Sequence, residues 1–333
     1  MENKIIAIEE HFVTKRHLEE LKKLKPLKYS PMEGSSDKQK KIMDEFNKKL
    51  LDLENIRLLE MDNAGLDMQV LQFSGHGLDR MDSKIASDIA KKSNNVLGEL
   101  IKKYPNRFSG FAQLNMQDSE EAAIELERCV TKLNLKGVVI SGKCNGHYLD
   151  HESFEPVLKT CERLNVPIYL HPGEPSQGLF EELYADLPNG IGGPLSISGW
   201  GWHMENCLHS LRLVLAGVFD KFPNLKIIIG HMGEGIPYYL DRADKKMAYG
   251  TSHLKKSIKE YFLSNFYITT SGFFSNETLN CALEVFGADK ILFAIDYPYS
   301  TNEEGIEFLN SANLSKEDFE KISHKNAEKL LKL

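Results

Sequence analysis

The segment IIAIEEHF, residues 5–12, ends an apolar run with two carboxylates and an imidazole. Such groups are costly to bury unless they are paired or bind a metal. In a β-strand the side chains of residues i and i+2 point to the same face, so Glu9 and His11 share one face and Glu10 points to the other. Glu9 and His11 therefore form a candidate metal-ligand pair at a strand end, and we expect Glu10 to act at most indirectly.

Three further apolar runs end in a residue that could bind a metal or move a proton. These residues are His171 in IYLHP, His231 in IIIGHMGE and Asp296 in LFAIDYP. In a barrel of parallel strands the carboxyl ends of the strands lie at one rim, so these side chains would gather around one pocket. A lone histidine is more often a core or loop residue, but such residue types at four strand ends are hard to ascribe to packing.

Short runs rich in Ile, Val, Leu and Phe alternate with amphipathic segments along the chain. Eight of these runs are candidate strands: 4–11, 67–75, 107–114, 136–142, 166–172, 225–233, 266–272 and 290–298. Such alternation favours parallel pairing, and eight units fit a closed (β/α)₈ TIM barrel of about 250 residues.

We therefore predict an α/β fold with one (β/α)₈ barrel domain over residues 1–333. The surplus length predicts a helical insertion at about 12–62 after the first strand and a long loop at about 173–203 after the fifth. An open doubly wound sheet is the alternative fold. It lacks support because no G-x-G-x-x-G turn follows the first strand.

The donor atoms of the candidate ligands indicate which metal ions the site would bind. Glu9, His11, His171 and Asp296 offer two nitrogens and two oxygens without a thiolate. That donor set suits one divalent ion, Zn²⁺ or Mn²⁺, with positions left open for a substrate. His231 is then a spare imidazole. Glu234 follows it by three residues and either orients it or complements the dipole of the next helix.

The composition is that of a globular protein, with 41% hydrophobic and 27% charged residues. The net charge of -7 is spread along the chain without a basic stripe, so we expect no nucleic-acid partner. We also expect a cytoplasmic protein without a membrane partner, since no apolar run approaches roughly 18 residues and no signal-peptide pattern is seen. The five cysteines are widely spaced, which favours reduced, packed thiols.

Four sequence blocks carry a resemblance to a known family. EEHF, YLHP, LVLAGVFDKFPNLKIIIGHMGEGIPYYLDR and ADKILFAIDYPY resemble the amidohydrolase-related metal-dependent decarboxylases, most of all the γ-resorcylate and 2,3-dihydroxybenzoate decarboxylases. The likeness runs over nearly the whole chain. It implies one divalent ion bound by Glu9, His11, His171 and Asp296, with His231 and Glu234 beside the substrate.

The resemblance also bears on assembly. Arg242 matches an arginine that in this family reaches the site of a neighbouring subunit, which implies a homodimer or homotetramer. The alternative is an exposed helix arginine that pairs with Asp241 or Asp244.

The sequence departs from the resorcylate enzymes at the expected substrate contacts. Ser141 stands where those enzymes have an asparagine at the end of the fourth strand. Trp202 stands where they have a phenylalanine, and His203 is added next to it. The identity of the substrate is therefore open.

The resemblance implies decarboxylation of a small hydroxybenzoate-type carboxylate. Asp296 would protonate the ring carbon, His231 would hydrogen-bond the phenolate or carboxylate, and Trp202 would cover the ring. A mononuclear metal-dependent amidohydrolase or lactonase is the alternative enzyme. The H-x-H pair and bridging lysine of binuclear hydrolases are absent, since Glu9, His11 and Ser141 occupy the corresponding positions. A barrel that binds metal and ligand without turnover is a third possibility.

Overall fold

The computed structural model describes residues 4–25 and 37–333. Residues 1–3 and 26–36 lie outside the described residues, and the latter belong to the predicted insertion. The strands are β1 Ile6–Phe12, β2 Met68–Phe73, β3 Phe108–Gly110, β4 Ala112–Gln113, β5 Val138–Ser141, β6 Ile168–His171, β7 Ile227–Ile229, β8 Phe266–Thr269 and β9 Ile291–Leu292.

Helices follow the strands in the order expected for βα units. They are α1 Lys15–Leu21, α2 Asp37–Leu51, α3 Ile56–Ala64, α4 Ser83–Lys103, α5 Ser119–Lys132, α6 Glu155–Leu164, α7 Gln177–Leu183, α8 Gly192–Ser196, α9 Gly201–Leu215, α10 Val218–Lys221, α11 Ile236–Met247, α12 Ile258–Asn265, α13 Asn276–Phe286, α14 Asn302–Ser311, α15 Lys316–Glu320 and α16 Asn326–Leu331. In the parts of the chain that the structure describes, no helix combines the length and apolar character needed to cross a membrane.

The strands close into a parallel barrel, which confirms the predicted fold. Strands β1 to β3 pair in one run and β4 to β9 in a second, each parallel to its neighbour. Phe111 separates β3 from β4, but its N–H still donates to the carbonyl of Leu71, so β3 and β4 act as one barrel strand. The barrel closes where the N–H of Ile8 donates to the carbonyl of Phe293 at 3.2 Å.

Side chains of alternate strand residues fill the barrel and so leave one open end. The interior cluster contains Ile6, Ile8, Val70, Phe111, Val139, Tyr169, Ile228 and Leu292. Ala327 and Leu331 of α16 join this cluster beside Met68, at the amino ends of the strands. Since α16 covers that end, a functional pocket is left at the carboxyl ends of the strands.

The two predicted insertions contain helices. The chain between β1 and β2 forms α1, α2 and α3. The predicted loop at 173–203 is not purely irregular, because α7 and α8 lie within it and α9 begins at Gly201. The Ser176 side chain caps α7 by accepting a hydrogen bond from the N–H of Leu179.

The last predicted strand, 290–298, is shorter in the structure, where it is β9. Regular pairing ends at Leu292, and beyond it the Thr270 side chain makes hydrogen bonds that a neighbouring strand would otherwise make. Its hydroxyl donates to the carbonyl of Ala294 at 2.8 Å and accepts from the N–H of the same residue at 3.0 Å. Asp296 consequently lies beyond the regular ladder, with a left-handed φ of 72°.

Candidate active site

A β-bulge in β1 places both Glu9 and His11 toward the barrel interior. The pairing of β1 with β2 shifts between Ala7 and Glu10, where β1 has one residue more than its partner. Ile8 belongs to the interior cluster, and the Glu9 carboxylate next to it also contacts interior residues. Bulges re-aim side chains in this way near active sites. The predicted common face of Glu9 and His11 is confirmed, since both contribute to one cluster of potential ligands.

Glu9 is completely buried, and only one of its two carboxylate oxygens has hydrogen-bond partners among the described residues. Its Oε2 accepts hydrogen bonds from the hydroxyls of Tyr169 and Thr269, the latter at 3.2 Å. Its Oε1 has no hydrogen-bond partner among the described residues. Burial raises the pKa of Glu9, because water is removed from around the charged form. A buried carboxylate oxygen without a partner is a position that a cation would satisfy.

The two imidazoles of the cluster are oriented by hydrogen bonds away from its centre. The Nδ1–H of His171 donates to the carbonyl of Pro172 at 2.8 Å, which leaves Nε2 as a lone pair 3.9 Å from Glu9 Oε1. Burial lowers the pKa of His171 to about 3, so its ring is neutral at physiological pH. His11 has Nδ1 2.9 Å from the Ser74 hydroxyl. Such outward hydrogen bonds are typical of metal-binding histidines.

Asp296 joins the cluster from the segment that follows β9. Its Oδ1 lies 3.0 Å from Nε2 of His11, and its Oδ2 lies 3.7 Å from Nε2 of His231. Burial alone would raise the pKa of Asp296, but the hydrogen bonds and charges of these two histidines outweigh burial and hold it well below its usual range. Asp296 is therefore a carboxylate placed between the ligand cluster and the spare imidazole.

A strained turn after β7 carries His231 and Glu234. The non-glycine residues His231, Met232 and Glu234 have left-handed φ values of 48°, 54° and 54°. Conformations of this kind cost roughly 1 to 3 kcal/mol each and cluster at functional sites. The hydroxyl of Ser271 accepts a hydrogen bond from the N–H of His231 at 2.9 Å, which helps to fix the turn.

His231 and Glu234 form a buried charged pair. Nδ1 of His231 lies 2.8 Å from Oε1 of Glu234. Burial alone would lower the pKa of His231, but the charges of Glu234 and Glu9 outweigh it and hold that pKa well above its usual value. Burial would raise the pKa of Glu234, yet the neighbouring histidines lower it to about 2. This contact supports the predicted alternative in which Glu234 orients His231.

Trp202 and Ser141 lie at the mouth of the same cluster. The Trp202 ring, at the start of α9, is edge-on to His171 at 6.3 Å and parallel to His76 at 6.1 Å between ring centroids. Ser141 pairs in register with His171 on the neighbouring strand and is exposed. Both residues therefore border the face from which a substrate would reach the cluster.

Arg242 is not brought to this cluster within one chain. It lies exposed on α11, and no carboxylate of the residues that the structure describes is within ion-pair distance of it. Asp241 pairs instead with Lys259 at 2.7 Å, and Asp244 accepts from the N–H of the same lysine. The alternative pairing of Arg242 with these aspartates is thus not seen.

Four site neighbours were not singled out from the sequence as functional. Tyr169, which contacts Glu9, could have been found because it precedes His171 by two residues and shares its face. Asn206 and His203 both contact Glu234 from α9, and the sequence signal for them was only proximity to Trp202. His76 follows β2 and packs on Trp202, and no local pattern marks it.

The donor set fits a divalent cation. One ligand atom from each of Glu9, His11 and His171 lies within 4.8 Å of the others, and Glu9, His231 and Asp296 form a second such group. The charge of Asp296 also raises the pKa of Glu9, so a cation between these carboxylates would relieve their repulsion. A closed parallel barrel with this cluster at its carboxyl rim defines the class of metal-dependent barrel enzymes.

The chain belongs to the amidohydrolase family, whose sequence profile matches residues 46–333. It is 36% identical to a γ-resorcylate decarboxylase of Polaromonas sp., with 98% of each chain covered. It resembles the crystal structure of a dihydroxybenzoic acid decarboxylase from Polaromonas sp. with bound manganese and the inhibitor 2-nitroresorcinol (TM-score 0.85, 36% identity, 99% of this chain and 97% of that one). It also resembles the 5-carboxyvanillate decarboxylase of Sphingomonas paucimobilis (TM-score 0.90, 30% identity, 99% of each chain). The predicted family is confirmed.

Proposed function

We propose that this chain is a metal-dependent decarboxylase that removes CO₂ from a hydroxybenzoate-type acid. The observation that carries the proposal is the contact of Asp296 with both His11 of the ligand cluster and His231 of the charged pair. Decarboxylases that match 98% or 99% of the chain confirm the carboxy-lyase class predicted from the sequence. The particular aromatic acid is part of the proposal.

We assign one divalent ion to Glu9, His11, His171 and Asp296. Two nitrogens and two oxygens suit Mn²⁺ as well as Zn²⁺, and manganese in a related crystal structure favours testing Mn²⁺ first. When bound, the ion supplies Lewis acidity, which favours the ionised form of a hydroxyl ortho to the substrate carboxylate. Two observations support this assignment. Oε1 of Glu9 has no hydrogen-bond partner among the described residues, and Nε2 of His171 lies 3.9 Å from that oxygen.

The reaction needs a proton at the ring carbon before CO₂ leaves, because a free aryl anion is too basic to form in water. In this proposal His231 supplies the proton, and its raised pKa beside the lowered pKa of Asp296 supports that role. Asp296 takes this proton across the 3.7 Å contact and delivers it to the ring carbon. Cleavage of the carbon–carbon bond then returns its electron pair to the ring, which restores aromaticity and releases CO₂.

Trp202 and Ser141 bind the substrate in this proposal. The buried indole N–H of Trp202 has no hydrogen-bond partner among the described residues, so it can donate to a substrate oxygen while the ring covers the aromatic face. The Ser141 hydroxyl, next to His171 across the strand pair, can contact a ring hydroxyl. A serine reaches less far than an asparagine and leaves more room for a ring substituent.

A homodimer or homotetramer belongs to the proposal, with Arg242 entering the site of a neighbouring subunit. Support comes from the exposed face of α11, where Tyr238 is 78% and Tyr239 45% accessible near the exposed Arg242. Clustered exposed aromatic residues mark interaction surfaces. Mixed oligomers of Arg242→Ala and Asp296→Asn subunits should recover activity that neither variant has alone. A monomer in light scattering, or mixtures as inactive as the parents, would contradict this assembly.

The decisive experiment offers the metal-reconstituted protein a panel of mono- and dihydroxybenzoates and measures CO₂ and phenol release. A parallel panel of lactones and amides tests hydrolysis, the alternative that the family membership keeps open. Hydrolysis without CO₂ release would overturn the proposal in favour of a mononuclear hydrolase. Silence in both panels, with melting temperatures still shifted by ligands, would favour a non-catalytic binding barrel. The cytoplasmic location stays a prediction from the sequence.

A further inference from the structure

His203 places both of its ring nitrogens against acceptors. Nδ1 lies 2.5 Å from Oε2 of Glu234, and Nε2 lies 2.9 Å from the carbonyl oxygen of Ser198. A carboxylate and a carbonyl oxygen accept hydrogen bonds, so each nitrogen of His203 faces an acceptor. The ring therefore links a buried carboxylate to the backbone that precedes α9.

Glu234 uses both carboxylate oxygens and cannot rotate freely. Its Oε1 accepts from Nδ1 of His231 at 2.8 Å and from the side-chain amide of Asn206 at 3.3 Å. Its Oε2 is held by His203. The carboxylate thus bridges two imidazoles, one facing Asp296 and one anchored to the loop before α9.

We propose that His203 is a positioning residue that fixes the Glu234 carboxylate and, through it, the orientation of His231 toward Asp296. The proposal rests on the function given above for His231. Without His203, Oε2 of the fully buried Glu234 loses the hydrogen bond that holds it, and the carboxylate can turn away from His231. The ring nitrogens of His203 contact Glu234 and the Ser198 carbonyl, so its effect on the orientation of His231 passes through Glu234.

A packing role is the competing explanation. The His203 ring lies edge-on to His231 at 5.0 Å and to Phe273 at 5.3 Å between centroids. His203→Phe keeps an aromatic ring but removes both ring nitrogens. His203→Asn keeps a donor at the position of Nδ1 but removes the ring. The two variants therefore separate hydrogen bonding from packing.

Steady-state kinetics and metal analysis of these variants test the proposal. We expect His203→Phe to lower kcat by about 10- to 100-fold, a size typical of groups that orient a functional side chain, with KM and bound metal nearly unchanged. His203→Asn should recover most of that loss. His253→Phe, at an exposed histidine, controls for the substitution type and should match the wild type. Equal losses in both His203 variants, or wild-type kcat in His203→Phe, would overturn the proposal.

A measurement without substrate keeps this test separate from the proposed activity. In protein with ¹⁵N-labelled histidine, NMR should show strongly hydrogen-bonded N–H protons from His203 and His231. His203→Phe should shift or broaden the His231 signal, and His203→Asn should return it toward its wild-type position. If the hydroxybenzoate panel is silent but these shifts occur, the positioning contact stands and the assigned reaction fails. An unchanged His231 signal in His203→Phe rejects the positioning role whatever the activity.

Discussion

Glu10 holds Asp296 through the backbone on either side of it. The two oxygens of the buried Glu10 carboxylate accept hydrogen bonds from the N–H groups of Ile295 and Tyr297, both at 3.0 Å. These bonds stand where strand pairing would otherwise be, and they stabilise the left-handed φ of Asp296. Burial raises the pKa of Glu10 to about 8, although both backbone bonds act in the opposite direction. Glu10 thus has a structural role in β1, between the proposed ligands Glu9 and His11.

The adjacent carboxylates of β1 should differ sharply on substitution. We expect Glu9→Gln to lose bound metal, because one of its oxygens faces the ligand cluster without another partner. Glu10→Gln should keep its metal but melt at a lower temperature, since an amide nitrogen then faces a backbone N–H, at a cost of about 1 to 3 kcal/mol. Metal analysis and thermal unfolding of both variants check this. Metal loss from Glu10→Gln with an unchanged melting temperature would contradict it.

Gly230 is required by the position of Glu9. A Cβ at residue 230 would lie 2.8 Å from Oε2 of Glu9 and 3.1 Å from the Tyr169 hydroxyl. Gly230→Ala should therefore displace the Glu9 carboxylate and weaken metal binding by about 10- to 100-fold, as measured by titration with Mn²⁺. Gly250→Ala is the matched control, because a Cβ there meets no atom within 4 Å. Equal affinities of the two variants would show that Glu9 is not a ligand.

Asp296→Asn should abolish turnover even when metal remains bound. An amide can occupy the same volume but cannot carry the proton from His231 to the ring carbon, and lost proton transfer costs typically 10²- to 10⁴-fold, by order of magnitude. The rate must be expressed per bound metal ion, so that lost occupancy is not counted as lost chemistry. Undiminished turnover per metal would remove Asp296 from the proton path.

The ion pair of Glu234 with His231 should make the free energy of unfolding depend on pH in the acid range. The pKa of Glu234 is lowered from 4.5 to about 2, so the stabilising effect of its charge is complete above pH 4.5 and is lost as the pH falls toward 2. A shift of this size corresponds to roughly 3 kcal/mol. Between pH 5 and pH 3 the metal-free wild type should therefore lose stability more steeply than Glu234→Gln.

Urea unfolding of metal-free protein measures this difference directly. The experiment uses metal-free protein because protonation of the ligands would otherwise release the metal and lower the stability at acid pH by a second route. Carboxylates distant from the pair contribute equally to both proteins, so the difference between the two curves reports on Glu234 and the groups it contacts. Parallel curves across this range would mean that Glu234 titrates normally in the folded protein.

The sequence predicted the barrel and the gathering of the cluster because both follow from periodicity. Eight apolar runs alternating with helices require parallel pairing, and Glu9, His171 and Asp296 each follow an apolar run. Physical proximity across 160 or more residues then comes from closure of the barrel alone. The contact between Tyr169 and Glu9 is an example, since 160 residues separate them in sequence.

Features that depend on side-chain competition with the backbone were not predictable. Strand β9 is short because the Thr270 and Glu10 side chains form hydrogen bonds with the backbone that follows it. No apolar pattern in the sequence reveals these bonds. The bulge in β1 carries no glycine or proline as a signal. His203 meets Glu234 only because α9 begins where the loop after β6 returns to the rim, a matter of loop path rather than of local sequence.

The bulge also means that residue count, and not only residue type, encodes the metal site. Because β1 has one residue more than β2 between Ala7 and Glu10, the inward and outward alternation of its side chains shifts once along the strand. If the same residues formed a regular ladder without the bulge, the alternation set by Ile6 and Ile8 would continue to Glu10. The inward and outward carboxylates would then exchange places. A change of phase of this kind would preserve the barrel and erase its chemistry, so an insertion or deletion between Glu9 and His11 is a more severe threat to function than most substitutions.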